Sequence, residues 1–187
     1  MSSSYRMELN KWLSNLDVKA FSVGDVGGSQ LPVKGRTKTW DVGLTTVYDL
    51  PNPHKDSPPP DRKLDLNTAT VYPLSTHDLV FCLEVFDYIW NPAHAFKVLS
   101  LMLTTGGTLW ATFPMFYPHH QPIEDDALLY KEGGIRKLAE ASGLKIEEII
   151  KRRPESNLLD QFWRVERMRA AKGYDHNVIG FIVRFIK

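Results

Sequence analysis

The sequence predicts an α/β protein, a three-layer sandwich around a mostly parallel sheet, and three observations lead there. Apolar runs such as Leu79-Val80-Phe81-Cys82-Leu83 are continuous and not alternating, which suits strands covered on both faces. These runs alternate with stretches of helical period, and parallel neighbours need crossovers that usually are helices. Each of the first four strand candidates also ends near an acidic residue.

The elements follow in order. Tyr5 to Leu16 places Leu9, Trp12, Leu13 and Leu16 at helical spacing with polar residues between them, so an amphipathic helix lies on the domain. Strands follow at Ala20 to Val26, Thr45 to Leu50, Lys63 to Leu66 and Asp78 to Val85. Asn91-Pro92 then supplies a polar cap and a first-turn proline for a helix over Ala93 to Leu103, with Ala95, Phe96, Leu99 and Met102 or Leu103 as its buried face. Gly106-Gly107 is read as its stop. Thr108 to Phe113 is a strand, Pro114 to Pro122 a loop, Glu132 to Ala141 a helix stopped by Gly143, and Leu144 to Ile150 a strand. A helix over Glu155 to Ala171 and a last strand over Asn177 to Ile186 complete the chain. Pro51 to Pro60 holds five of the twelve prolines, which makes it a stiff surface loop.

Composition narrows the function classes. The 187 residues suit one domain, with the N-terminal helix at 5–16, a core at 20–150 and an appended helix and strand at 151–187. A hydrophobic fraction of 43% provides a core, and 23 Lys+Arg against 22 Asp+Glu give a net charge of +1, so nothing global draws the chain to nucleic acid or anionic lipid. Residues 151–187 carry nine basic against four acidic side chains, which reads as a solvated helix face before it reads as a docking patch. The single cysteine, Cys82, sits in an apolar run and is read as a buried structural thiol. With no apolar stretch of about 20 residues to span a membrane, the expectation is a cytoplasmic protein.

In open α/β sheets ligands sit beyond the carboxyl ends of the strands, where the strand order reverses. The chemistry-bearing residues gather at those ends. Gly24-Asp25-Val26-Gly27-Gly28-Ser29 closes the first strand, and Asp49-Leu50 closes the second. Asp49 lies 24 residues beyond Asp25, near the spacing at which an acid accepts hydrogen bonds from ribose hydroxyls. Asp65-Leu66 follows the third strand and Glu84-Val85-Phe86-Asp87-Tyr88 the fourth. Each acid alone is an ordinary turn-former; the ordered set is what favours a binding site.

From about Phe21 to Ile150 this set resembles the class I S-adenosylmethionine-dependent methyltransferases. Asp78 to Tyr88 with Asn91-Pro92 resembles the family's fourth-strand motif, and the most specific part is the stretch that follows, Leu99 to Leu109 through Gly106-Gly107. The resemblance implies a Rossmann-like sheet of seven strands with the last one antiparallel. It also implies S-adenosylmethionine as cofactor and S-adenosylhomocysteine as product. Asp25, Gly27, Gly28 and Ser29 would pass the methionine part, Asp49 and Leu50 the ribose, Asp65 and Leu66 the adenine, and Glu84, Val85 and Phe86 the sulfonium. The acceptor implied is a small molecule or saccharide, taking the methyl on oxygen or nitrogen.

Leu31 to Leu44 departs from the family pattern, because Pro32, Gly35 and Gly43 leave the helix after the first motif short, distorted or absent. The favourable dipole that such a helix offers an anion is then in question. Lys34, Arg36 and Lys38 are the available substitutes, although solvated loop cations is the plainer reading. Beyond the fifth strand, Tyr117 with Tyr88 would border the acceptor, and His119 or His120 would take a proton from an acceptor hydroxyl; exposed loop histidines are an equal alternative. No metal site is expected. Two rivals stay open: a methyltransferase-like module that binds without turnover, and a nicotinamide-dependent oxidoreductase, against which Gly24-x-x-Gly27-Gly28 lacks the G-x-G-x-x-G spacing.

Overall fold

The computed structural model describes residues 4–53, 57–116, 127–153 and 177–187. Among them α1 spans Ser4–Leu13, β1 Asp17–Val26, β2 Thr39–Asp49, β3 Arg62–Lys63, β4 His77–Cys82, α2 Pro92–Met102, β5 Leu103–Pro114, α3 Glu132–Ala141, β6 Lys145–Arg152 and β7 Gly180–Ile186. The seven strands form one sheet in the order β3-β2-β1-β4-β5-β7-β6. Pairings from β3 to β5 are parallel, and β7 runs antiparallel to both β5 and β6. The expected sheet and its reversed last strand are both present. The expected helix over Glu155 to Ala171 lies outside the described residues.

Helices cover both faces, which gives the three layers. On one face Leu9 and Leu13 of α1 pack with Val23, Phe81, Trp110 and Ile182, and Trp12 meets Trp110 edge-on with ring centroids 4.8 Å apart. On the other, Ala95, Phe96 and Leu99 of α2 and Ile135 and Ala139 of α3 enclose Val80, Cys82, Leu109, Ala111 and Phe113. Because β4 is covered on both sides, its last three residues are buried in succession, which is why its sequence shows a run and not an alternation. Cys82 is buried and unbridged, as its setting implied.

No helix joins β1 to β2, in line with the disruption that Pro32, Gly35 and Gly43 implied; residues 27–38 are turns and bends, and the buried Val33 of that crossover fills part of the α1-side core where a helix would pack. Three local expectations are corrected. The Asn91 side chain does not cap α2. Gly106-Gly107 does not stop that helix, which ends at Met102. The pair lies inside β5, where the register with β4 jumps from His77↔Leu103 to Leu79↔Thr108. Gly106 takes φ +77° there, and an added Cβ at Gly107 would fall 2.9 Å from the Thr104 carbonyl oxygen. Finally, β3 is only two residues long, so Asp65 and Leu66 belong to the turn beyond it.

Side chains hold the sheet's left half where helices are missing. The buried His77 ring on β4 joins Ser22 Oγ of β1 at 2.8 Å and Tyr48 Oη of β2 at 2.9 Å, so three strands are tied through one imidazole. Burial pushes its pKa below the usual histidine range, which keeps it in the neutral form that can donate on one nitrogen and accept on the other. One residue on, the Asp78 carboxylate accepts the backbone N–H groups of Phe21 and Ser22 at 2.8 and 2.6 Å. These donors lie at the point where β1 runs past the start of its pairing with β4, so the carboxylate takes the place of an absent strand.

Asp78→Ala should therefore lower the unfolding free energy by about 1.5–3 kcal/mol, the range for hydrogen bonds to a charged group. Urea denaturation measures it, and an unchanged midpoint would contradict the capping role.

Candidate functional site

A cleft of about 850 Å³ opens at the carboxyl ends of β1, β2 and β4, where the strand order reverses between β1 and β4. That is the position at which open α/β sheets bind ligands. Its walls are the strand-end segments around Asp25, Asp49, Asp65 and Glu84, the crossover that carries Leu31 and Arg36, and Arg6 and Leu9 of α1.

Asp25 is the penultimate residue of β1 and is 2% exposed. Its carboxylate accepts the Val33 N–H at 2.7 Å and lies over Gly28, where an added Cβ would come 2.5 Å from Cγ. Gly28 is thus required by the acid before it. Burial pushes the Asp25 pKa up to about 6, against the smaller lowering effects of the Val33 hydrogen bond and the Arg36 charge. Gly27 adopts φ +80°, and a Cβ there would strike Val85 Cγ2; only glycine lets the loops after β1 and β4 meet this closely. Ser29 is buried with no hydrogen-bond partner for its hydroxyl oxygen.

The remaining acids divide into two kinds. Asp49, the last residue of β2, accepts Ser29 N–H at 3.1 Å and Leu50 N–H at 2.8 Å. Each carboxylate oxygen retains acceptor capacity toward the cleft. Asp65 accepts Asn67 N–H at 2.9 Å and the Thr68 hydroxyl at 2.8 Å, which is the work of a turn-former. It and Leu66 still line the cleft. Glu84 takes φ +56°, and a non-glycine residue held there carries local strain of about 1–3 kcal/mol that its surroundings must overcome. The Thr112 hydroxyl accepts its N–H at 2.7 Å, and the buried Arg152 donates to its carboxylate at 2.6 Å.

Val85 and Tyr88 line the cleft, as does Leu50 at its edge. Phe86 does not: it is fully buried on the α2 side, with Phe113, Phe96 and Tyr130 rings 4.5–5.7 Å away. The short 3-10 turn Phe86–Tyr88 points that ring into the core, so of these three consecutive residues Glu84 and Val85 reach the cleft and Phe86 does not. Gly28 and Ser29 shape the loop behind the cleft and do not line it. Tyr117, His119 and His120 lie outside the described residues.

Sequence reasoning missed Asn67 altogether. Its side-chain oxygen accepts N–H from Trp90 and Asn91 at 3.0 and 3.2 Å, and its amide donates to the Tyr88 carbonyl at 3.2 Å. One amide thereby joins the segments after β3 and β4, a link 24 residues long that no local pattern announces. Arg6 and the exposed Trp90 at the mouth were missed as well.

Asp25 gives the site a pH signature. Its folded pKa of about 6 exceeds the unfolded value of about 3.9, so the folded chain binds the proton more tightly. The contribution favours folding below about pH 4 and is lost as pH rises through about 6. Compared with Asp25→Asn, the wild-type chain should lose up to about 3 kcal/mol of stability between pH 4 and pH 7. Urea denaturation across that range tests this; parallel pH profiles would contradict it.

No protein-family model matches the chain, and comparison with curated proteins gives no match. Solved structures do resemble it. An S-adenosylmethionine-dependent methyltransferase from Mesorhizobium loti superposes with a TM-score of 0.62 at 12% identity, over 100% of this chain and 99% of that one. A methyltransferase of the same dependence from Leishmania major gives 0.59 at 15% identity, over 98% and 72%. The [4+2]-cyclase SpnF gives 0.59 at 16% identity, over 98% and 80%. With the strand order 3-2-1-4-5-7-6 and its antiparallel β7, the chain has the Rossmann-like fold of the class I S-adenosylmethionine-dependent methyltransferases.

Proposed function

We propose that this protein is an S-adenosylmethionine-dependent methyltransferase acting on an oxygen or nitrogen of a small-molecule or saccharide acceptor. The observation that carries the reading is the cleft at the strand-order reversal, with Asp49 at the carboxyl end of β2 and Asp25-Val26-Gly27 at that of β1. The residues present fit such a cofactor. Asp49 has acceptor capacity for two ribose hydroxyls, and Leu64, Leu66 and Ile89 offer apolar walls for a planar base.

A nicotinamide dinucleotide fits less well. Its pyrophosphate needs free backbone N–H groups at a helix N-terminus. Here no helix follows β1, and the Ser29 and Val33 N–H groups are engaged by the Asp49 and Asp25 carboxylates. The resemblance to SpnF, a cyclase, shows that one fold carries different reactions.

When bound, the cofactor supplies a methyl group already activated by its sulfonium. The chain's task is then to bind, orient and exclude water, and orientation is worth roughly 7–11 kcal/mol in well-arranged intramolecular systems. Tyr88 and the segment bearing Tyr117 are assigned to the acceptor, and for a hydroxyl acceptor His119 or His120 is the assigned base.

Calorimetry should show binding of S-adenosylhomocysteine and none comparable of NAD. Asp49→Ala should weaken the former by about 1.5–3 kcal/mol while the fold persists. A preference for NAD would overturn the reading. The acceptor class follows from labelled S-adenosylmethionine incubated with separated saccharide, metabolite, protein and nucleic-acid fractions: label in the saccharide or metabolite fraction is expected, and label in nucleic acid or protein alone would contradict the acceptor proposed.

A further inference from the structure

The cleft is strongly polarised. Five carboxylates line it, from Asp25, Asp49, Asp65, Glu84 and Asp87, and the cations among its lining residues are Arg6 and Arg36. Both arginines belong to the side built by α1 and the crossover. A ligand group carrying a negative charge therefore has one end of the site open to it.

Arg36 is fixed in place on that side. It comes from the irregular crossover 27–38, and its guanidinium donates to the Leu31 carbonyl at 3.0 Å and to Asn10 Oδ1 of α1 at 2.8 Å. A guanidinium has five N–H donors, so the two hydrogen bonds fix its plane and leave donors for a ligand. Burial lowers its pKa, opposed by the charges of Asp25 and Glu84, yet an arginine stays protonated throughout the working range. The usual alternative anion site, a helix N-terminus after β1, does not exist in this chain.

We infer that Arg36, positioned by Asn10 of α1, binds the carboxylate of the cofactor's amino-acid tail and selects ligands that carry it. The inference rests on the cofactor reading above and deepens it. A planar fork facing a carboxylate makes paired, charge-assisted hydrogen bonds that a lysine cannot reproduce. Asn10 acts as a positioning residue: it touches the guanidinium and not the ligand.

The test compares S-adenosylhomocysteine with S-adenosyl-3-thiopropylamine, the same molecule without its carboxylate, by calorimetry. The wild-type protein should bind the first about 10–100-fold more tightly. Arg36→Met should weaken the first by a similar factor and leave the second nearly unchanged. Arg36→Lys should recover part of the loss, and Asn10→Ala should weaken only the carboxylate-bearing ligand, by less. Equal affinity of the wild-type chain for both ligands overturns the inference, and so does an equal loss for both in a folded Arg36→Met. The wild-type comparison decides the need for a carboxylate even where the variant does not fold. Binding of neither ligand by the wild-type protein would instead overturn the cofactor reading on which the inference stands.

Discussion

Much of this molecule follows from one buried carboxylate. Parallel β1 and β2 must be joined by a crossover, and in this fold class the crossover is ordinarily a helix whose own hydrogen bonds satisfy its backbone. Residues 27–38 form no helix, so the polar groups of that segment need partners elsewhere. Asp25 provides the first by accepting Val33 N–H from within the sheet, and that contact draws Val33 into the core against Leu9 and Leu13. Once Val33 is anchored, Asn10 of α1 meets Arg36 and the Lys38 N–H reaches the Leu16 carbonyl. The acid is carried at an energetic cost, since burial disfavours its charge, and Gly28 is left without room for a side chain.

The same economy of helices shapes the site. Acids at the strand ends serve both the backbone and the cleft: Asp49 braces Ser29 and Leu50, Asp65 folds its own turn, and Glu84 is paired with Arg152. Asn67 then clasps the segments after β3 and β4. A pocket of this kind is pre-formed by side-chain hydrogen bonds and not by packed helices, which favours preorganised binding of a polar ligand. The removal of the helix dipole shifts the positive charge from backbone amides to Arg6 and Arg36.

The parts legible in the sequence were those set by local pattern. Continuous apolar runs marked β4, helical spacing marked α1 and α2, and Glu132 to Ala141 coincides with α3 because its period and its stop at Gly143, at φ +75°, are both local. The order of acids along the strand ends located the cleft. What could not be read was set by distant partners. Gly106-Gly107 looks like a helix stop, but its place is fixed by the Lys187 carbonyl and N–H, 81 and 80 residues away. Phe86 continues a binding motif in one dimension, whereas three further aromatic rings fix it in the core. Arg36 is one of several cations in its segment, and its partners Leu31 and Asn10, with its place on the cleft wall, distinguish it.

The proposed cofactor places its ribose on Asp49 in the cleft at the β1/β4 reversal, with its amino-acid tail toward α1. A crystal structure grown with S-adenosylhomocysteine tests it most directly. Ribose hydroxyls are expected on the Asp49 carboxylate, the base against Leu64 and Leu66, and the tail beside Gly27 and Arg36. A nucleoside bound elsewhere, or in this cleft with its ribose away from Asp49, would contradict it.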